Sequence, residues 1–167
     1  INTCRTTPDI LGPFYKPNAP FRNNVRVENE KGDLLVVKGA VFSKDCKTPL
    51  ANALVEIWQA DKQGNYDNDS NKFLYRASLK TDAKGKYELK TIIPQEYDIG
   101  NNQFRPEHLH FKVTAPGHND LVTQTYFKDD KYIPSDPWAS KPEAKFRILE
   151  LKKLESGESF VQFDIHM

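Results

Sequence analysis

The sequence predicts an all-β fold, an antiparallel β-sandwich of about eight strands joined by long loops. Short runs in which apolar and polar residues alternate, or in which β-branched residues cluster, recur along the chain. Segments rich in Gly, Pro, Asn and Asp separate these runs and are typical of turns. Only residues around 140–146 have any helical character. Strands divided by turns, with almost no helix between them, favour a sandwich or a barrel.

The N-terminal segment, residues 1–30, is predicted to be extended chain that wraps over the sandwich. It contains four prolines, Pro8, Pro13, Pro17 and Pro20. A proline ring fixes φ and removes an amide donor, so a segment this rich in proline cannot form a regular element. The chain has 167 residues, which is enough for one hydrophobic core. We therefore predict a single domain over residues 1–167.

The predicted strands, in chain order, are residues 34–42, 53–60, 73–80, 86–92, 108–114, 121–127, 146–151 and 159–165. Side chains alternate between the two faces of a strand. In strand 108–114 this places Leu109, Phe111 and Val113 on the face expected to join the core. Trp58, in strand 53–60, is also expected in the core.

Charge and composition narrow the choice of partners. Lys and Arg number 24 and Asp and Glu 23, and no long basic run is present, so no nucleic acid is expected. No apolar run is long enough to span a membrane. The chain begins at Ile1 rather than Met, so we expect a processed or trimmed N-terminus. We favour an extracytoplasmic location, secreted or periplasmic after signal removal, over the cytoplasm.

The two cysteines, Cys4 and Cys46, are too few for a disulfide scaffold. One bridge between the N-terminal segment and the body, or two free thiols, would both agree with this count. We favour the bridge, which requires an oxidising compartment.

Two histidines, His108 and His110, sit two residues apart in a predicted strand. Their Cα atoms should be roughly 6.5 to 7 Å apart with both side chains on one face, so two imidazoles could converge on one cation. The pattern alone does not decide between half of a metal site and the polar outer face of an edge strand. His118, in a turn, and His166, at the C-terminus, are expected to be exposed and not to be ligands.

Two loop tyrosines could complete such a site. Tyr66 follows strand 53–60, and Tyr97 lies between strand 86–92 and the histidines. A loop tyrosine is usually a packing residue, and its phenol, with a pKa of about 10, is normally neutral. A highly charged cation stabilises the deprotonated oxygen, and phenolate with imidazole suits Fe(III). The sequence offers no obvious carboxylate pair, and its cysteines lack the spacing of a zinc motif.

Residues 34–97 by themselves resemble the sandwich modules related to transthyretin and the carboxypeptidase regulatory domain. The similar stretches are GAVFSKDCKTPLANALVEIWQAD and SLKTDAKGKYELKTIIPQEY. Such modules are usually binding or structural units. A non-catalytic binding module is therefore the alternative to an enzyme, because a shared fold does not decide function.

Five segments in order resemble the intradiol ring-cleavage dioxygenases, which include protocatechuate 3,4-dioxygenase and the catechol 1,2-dioxygenases. They are LGPFY (11–15), NALVEIWQADKQGNYD (52–67), TIIPQEYDIG (91–100), RPEHLHFKVTAPGH (105–118) and LVTQTYF (121–127). Each segment alone is modest support, and the five together form a specific signal. Nothing in this sequence matches the N-terminal helical segment that the catechol branch uses for dimerisation. The sequence also shows one kind of chain where the protocatechuate branch pairs two, so the oligomeric state stays open.

The resemblance implies one non-haem Fe(III) ion (Fe3+) per chain. The implied ligands are Tyr66, Tyr97, His108 and His110. The implied partners are a small aromatic diol and O2, with ring cleavage between the two hydroxyl carbons to a cis,cis-muconate. Long loops would then carry the active site.

The same resemblance assigns roles around the implied iron. Tyr97 would take up a substrate proton, Arg105 would stabilise negative charge on the substrate, and Gln124 would orient Arg105. A surface salt bridge for Arg105 and an ordinary strand position for Gln124 are the alternatives. Phe14, Tyr15 and Ile99 are candidates for the substrate pocket wall, and core packing is an equal alternative for them.

Overall fold

A computed structural model describes residues 4–30 and 32–167 and shows a fold made almost entirely of strands. The strands are β1 Leu34–Phe42, β2 Leu54–Gln59, β3 Arg76–Lys80, β4 Lys86–Ile92, β5 Tyr97–Gly100, β6 Gln103–Arg105, β7 His108–Thr114, β8 Leu121–Phe127, β9 Ile148–Leu149, β10 Lys152–Lys153, β11 Ser159–Gln162 and β12 Ile165–His166. One 3-10 helix spans Pro142–Arg147. Within the described ranges, no helix is long and apolar enough to cross a membrane. The predicted start of the N-terminal segment, residues 1–3, lies outside the described residues.

Two five-stranded sheets face each other, which confirms the predicted all-β sandwich. The first sheet has the order β10-β11-β1-β12, with β4 also paired to β1. The second has the order β3-β2-β7-β8-β9, and β5 and β6 form a separate hairpin. Most pairs are antiparallel, while β1 pairs with β11 and β12, and β8 with β9, in parallel.

The core fills the space between the inner faces of the two sheets. From the second sheet, Leu109, Phe111 and Val113 are fully buried, as the alternation in β7 predicts. From the first sheet, Val37 and Leu89 meet them in one continuous cluster. Burial of each such side chain contributes about 1.5 to 3 kcal/mol, which makes this layer the main source of stability.

The strands near the C-terminus differ from the prediction. The run predicted as strand 146–151 starts inside the 3-10 helix, which begins at Pro142, and only two of its residues pair with β8. The run predicted as strand 159–165 is interrupted at Phe163. There a Cβ on Gly39 would lie 1.8 Å from the Phe163 carbonyl oxygen, so the close approach needs a glycine. The hairpin of β5 and β6 was not predicted, because its residues show no alternation.

The N-terminal segment runs along the sandwich as extended chain. Its backbone bonds to strands of both sheets: the Thr6 amide donates to the His166 carbonyl and the Asp9 amide to the Val122 carbonyl. A disulfide joins Cys4 to Cys46, with Cα atoms 6.0 Å apart, which agrees with the favoured alternative. Because of this path, the segment covers the outer face of the second sheet.

Candidate active site

A row of polar and aromatic side chains crosses the outer face of the second sheet. Direct cross-strand pairs link Arg76 to Trp58, Trp58 to His110, and His110 to Gln124. Residues directly opposite each other on neighbouring strands project from the same face. All four are nevertheless buried, because the N-terminal segment and the loops cover them. The register of β3, β2, β7 and β8 therefore assembles this row.

The Tyr66 hydroxyl meets both predicted histidine ligands. It lies 3.2 Å from Nε2 of His108 and 2.9 Å from Nε2 of His110. The two imidazole centroids are 4.8 Å apart, as expected for alternate residues of β7. Three groups predicted as ligands thus direct their polar atoms to one point.

Burial keeps both imidazoles neutral. Burial, followed by the nearby Arg105 guanidinium, lowers the pKa of His108 to about 4. Burial lowers the pKa of His110 well below its ordinary value, with His108 and Arg105 as the next causes. Nδ1 of His108 lies 2.6 Å from the Pro106 carbonyl, which can only accept, so the proton sits there and the lone pair on Nε2 faces Tyr66. Nδ1 of His110 is buried, and no described residue forms a hydrogen bond with it.

Tyr66 is held in place by aromatic contacts. The ring of Phe14 stacks on it with centroids 4.4 Å apart, and Tyr97 contacts it edge-on at 5.8 Å. Burial raises the pKa of Tyr66 above its ordinary value, while Arg105 and Arg76 oppose that rise. The phenol by itself therefore stays protonated, and a bound cation would be needed to ionise it at neutral pH.

Tyr97 reaches the site from the β5–β6 hairpin. It pairs in register with Arg105, and its ring packs edge-on against Phe14 at 5.3 Å. A close backbone contact joins this hairpin to the loop that carries Tyr66, since a Cβ on Gly64 would lie 2.7 Å from the Glu96 carbonyl oxygen. Gly64 has φ of +84°, which also favours glycine.

The Arg105 side chain is buried, and each of its three guanidinium nitrogens donates a hydrogen bond. Its Nε and Nη2 donate to the two carboxylate oxygens of Asp136 at 3.0 and 3.1 Å, and its Nη1 donates to Oε1 of Gln124 at 3.0 Å. The Trp138 ring lies 4.7 Å from the guanidinium carbon. Nη1 is also 3.4 Å from Nε2 of His108, so the cation borders the histidines.

A second buried ion pair, between Arg147 and Asp9, is linked to Arg105 through Tyr126. Arg147 Nη1 donates to the Asp9 carboxylate at 2.7 Å, and the Tyr126 hydroxyl donates to the same carboxylate at 2.6 Å. Tyr126 in turn accepts a hydrogen bond from Arg105 Nη2 at 3.3 Å. Gln124 donates to the Ile10 carbonyl at 2.9 Å, which ties the N-terminal segment to the site.

Sequence reasoning missed several members of this network, notably Asp136, Trp138, Asp9, Arg147 and Tyr126. Tyr126 alone had a usable signal, since it lies two residues after Gln124 on the same face of β8. The others come from loops, from the N-terminal segment or, for Arg147, from the end of the 3-10 helix, and no spacing in the sequence links them to Arg105. Their contacts exist only in the folded chain.

Other predicted residues lie apart from the histidines. The Tyr15 and Trp58 ring centroids are 5.0 Å apart, and the Tyr15 hydroxyl donates to the Glu56 carboxylate at 2.8 Å. Tyr15 therefore contacts Trp58 and Glu56 and not the histidines. Ile99 is half exposed on the hairpin. Trp58 is buried, as expected, but it lies on the outer face, stacked on His110 at 4.8 Å, and not in the cluster between the two sheets.

The two remaining histidines are not at the site. His118 is 3.0 Å from the Ser43 hydroxyl in the turn after β7, and His166 stacks on Phe42 at 5.1 Å. Both are half-buried rather than exposed. These contacts account for them without a ligand role.

The donor set fits a ferric ion. Across residues 4–30 and 32–167, no group of three or more His, Cys, Asp or Glu side chains could hold a metal, so a carboxylate-rich or cysteine-rich site is not offered. Two neutral imidazoles with phenol oxygens are a different set, of borderline nitrogen and hard oxygen donors. Nε2 of His108 carries a lone pair, and no carboxylate of a described residue hydrogen-bonds to either imidazole, so these donors are available to a cation.

A dioxygenase family model matches residues 10–167. Among relatives, catechol 1,2-dioxygenase 2 of Acinetobacter lwoffii is 38% identical over 146 residues, which cover 76% of this chain and 53% of the relative. The 6-chlorohydroxyquinol 1,2-dioxygenase of Cupriavidus pinatubonensis is 36% identical and covers 78% of this chain and 54% of the relative. The chain thus spans about half the length of these curated relatives.

Solved structures share the fold over nearly the whole chain. The dioxygenase domain of a dioxygenase and carbohydrate-binding protein fusion from Streptomyces sp. SirexAA-E matches with a TM-score of 0.84 and 31% identity, covering 98% of this chain and 97% of that domain. The 3-chlorocatechol 1,2-dioxygenase of Rhodococcus opacus 1CP matches with a TM-score of 0.87 and 28% identity, covering 99% and 74%.

Proposed function

Because the chain belongs to the intradiol dioxygenase family, we propose that it cleaves a catechol ring between the two hydroxyl-bearing carbons. The reaction would incorporate both atoms of O2 and give a product of the cis,cis-muconate type. The observation that carries the proposal is the convergence of Tyr66, His108 and His110: the Tyr66 hydroxyl lies 3.2 Å from Nε2 of His108 and 2.9 Å from Nε2 of His110.

One non-haem ferric ion per chain is the proposed cofactor. Tyr66, Tyr97, His108 and His110 would hold it, as two phenol oxygens and two imidazole nitrogens. Binding of both catechol oxygens and electron exchange with the ring are the chemistry that Fe(III) would supply. The neutral state of both buried histidines supports this assignment, because only an unprotonated imidazole can bind a metal.

Protein groups would perform the remaining tasks. Tyr97 is half-buried at the start of the hairpin, where its oxygen can take up one catechol proton. Arg105 cannot readily lose its charge, and it is held beside the histidines by Asp136 and Gln124. It would stabilise negative charge that develops on the ring during attack by O2. Phe14, stacked on Tyr66, would keep water from the same space.

The proposed substrate is a catechol without a ring carboxylate. Arg105 and Arg76 are the arginines that act electrostatically on both Tyr66 and His110. Each already donates to oxygens of the protein, so neither is free to bind a carboxylate. The relatives are named for catechol, chlorocatechol and 6-chlorohydroxyquinol, in agreement with this choice.

Oxygen uptake by the iron-loaded protein tests the proposal. We expect a reddish protein, from tyrosinate-to-iron charge transfer, that consumes O2 with catechol and 4-chlorocatechol and not with 3,4-dihydroxybenzoate. Product absorbance should identify a muconate. Tyr97→Phe should lose most of this activity. An iron-loaded protein that binds catechol without O2 uptake would support the binding-module alternative, and zinc without iron would contradict the cofactor.

The proposed place of action is an oxidising compartment outside the cytoplasm. The Cys4–Cys46 disulfide supports this, because such bonds persist where thiols are not kept reduced. Thiol alkylation of the protein in its natural cells, followed by mass measurement, should find both cysteines unmodified. Two alkylated cysteines would contradict the proposed location.

A further inference from the structure

Arg76 is a buried cation at one end of the row that carries His110. It begins β3, is 2% exposed, and pairs across the sheet with Trp58, whose ring stacks on His110. Nothing in the proposed reaction uses it. A fully buried arginine is rare unless its guanidinium is paired with other polar groups.

The Arg76 guanidinium joins two segments that hold Tyr66 from opposite sides. Its Nε and Nη2 donate to the Asp67 carbonyl at 3.1 and 3.0 Å, directly after Tyr66 in the chain. Its Nη1 donates to the Phe14 carbonyl, and the Phe14 ring stacks on Tyr66 at 4.4 Å. One side chain therefore fixes both the loop that presents Tyr66 and the ring that covers it.

The charge of Arg76 is not neutralised by direct contact. The ion pairs among the described residues are Arg26–Glu158, Arg105–Asp136 and Arg147–Asp9. The carboxylate of Asp67 is instead bonded by the Ser70 hydroxyl at 2.5 Å and the Leu74 amide at 3.0 Å. Burial of the cation is costly, and the Asp67 carboxylate, which acts on Arg76 electrostatically without a direct contact, offsets part of that cost.

We propose that Arg76 is a positioning residue of the site, which fixes the Tyr66 loop against the Phe14 ring. The proposal rests on the proposed function, since Tyr66 is one of the proposed ligands of the metal. It assigns the two arginines separate tasks: Arg105 serves the substrate, and Arg76 serves the ligand.

The hydrogen-bonding geometry of the Arg76 guanidinium and its positive charge can be tested separately. Arg76→Lys keeps the charge but cannot reach the Phe14 and Asp67 carbonyls together, whereas Arg76→Gln loses both. Arg22→Lys is a matched control, because Arg22 donates to the backbone carbonyls of Arg76, the first residue of β3, and of Phe73, just before it, and makes no hydrogen bond to Tyr66 or Phe14.

The measurements are iron loss to a chelator, the wavelength of the tyrosinate-to-iron band, and the melting temperature of the metal-free protein. We expect iron affinity to fall about tenfold in Arg76→Lys and about 100-fold in Arg76→Gln, the range for groups that support metal ligands. The band should shift in Arg76→Gln. Arg22→Lys should match the wild type in affinity and band position.

Several outcomes would overturn the proposal. Unchanged iron affinity and band position in Arg76→Gln would remove its role, and equal iron loss in Arg22→Lys would reduce it to general support of the strand. If Arg76→Gln does not fold, Arg76→Lys with wild-type iron affinity would equally refute it. Failure of the proposed function is distinguishable, because it would appear in the wild type as absent iron or absent O2 uptake.

Discussion

The two sheets of the sandwich use their outer faces differently. In β4 of the first sheet, Lys86, Glu88 and Lys90 are exposed and alternate with buried residues. In β8 of the second sheet, every residue except the half-buried Val122 is buried, although Thr123, Gln124 and Thr125 are polar. The first sheet has one face in water, and the second sheet has both faces covered.

This difference explains why the candidate site lies on the second sheet and not on the first. A polar side chain on an uncovered face bonds to water and contributes little. On a covered face it must bond to protein, and electrostatic interactions there are stronger because water is excluded. The N-terminal segment, the loop at Tyr66 and the segment around Asp136 cover the outer face of the second sheet.

Five predictions test this contrast between the covered and the uncovered sheet face, in order of decreasing effect.

The largest effect is expected from His110→Ala on the outer face of the second sheet. It removes a proposed ligand, so O2 uptake with catechol should fall to background and the red colour should be lost. Activity, absorbance and iron content would measure this. His118→Ala, in the turn after β7, is the control and should keep all three. Full colour in His110→Ala would contradict the ligand assignment.

Phe111→Ala tests the inner face of the same strand. Phe111 is fully buried between the sheets, so its loss should lower the free energy of unfolding by about 3 to 5 kcal/mol. Denaturant unfolding of the metal-free protein measures this. Leu34→Ala, at a 43% exposed position of β1, should cost far less. Equal losses would mean that the inner face is not the main source of stability.

Asp136→Asn tests the segment that covers Arg105. It removes the partner of a buried charge, which should cost about 3 kcal/mol of stability. Because Arg105 would lose its fixed orientation, kcat should fall more than KM, with iron content unchanged. Glu158→Gln, at the more exposed Arg26–Glu158 pair, is the matched control. A kcat equal to that of the wild type would show that Arg105 does not depend on Asp136.

Acid should destabilise the metal-free protein through the covered face. Burial lowers the pKa of His108 from 6.5 to about 4, so between these pH values the unfolded chain binds a proton that the folded chain does not. The free energy of unfolding should therefore fall as pH falls, by up to about 1.4 kcal/mol per pH unit for this residue. Denaturation of wild type and His108→Gln across that range measures the difference. Parallel curves would contradict it.

The smallest effect is expected on the outer face of the first sheet. Glu88 is exposed on β4, so Glu88→Gln should change stability by less than about 0.5 kcal/mol and leave O2 uptake unchanged. Unfolding and activity assays on the same preparation check both. A large loss of either would show that the first sheet also carries function.

The strands were predictable where alternation or β-branching is continuous. Strands β1, β4, β7 and β8 have the predicted bounds, because each keeps one face in the core along its whole length. Prediction failed at 146–151, where apolar residues follow the proline that starts a 3-10 helix. It also failed for the β5–β6 hairpin, whose residues are mostly exposed and carry no inward pattern.

The sequence by itself determined the all-β class, the core face of β7 and the candidate ligands, since these depend on local alternation and on short motifs. Only the tertiary structure decided that the outer face of the second sheet is buried and which groups bond there. Asp136 lies 31 residues from Arg105, and Phe14 lies 62 residues from Arg76. Contacts between such distant residues depend on how the strands register and where loops return, and no local pattern records them.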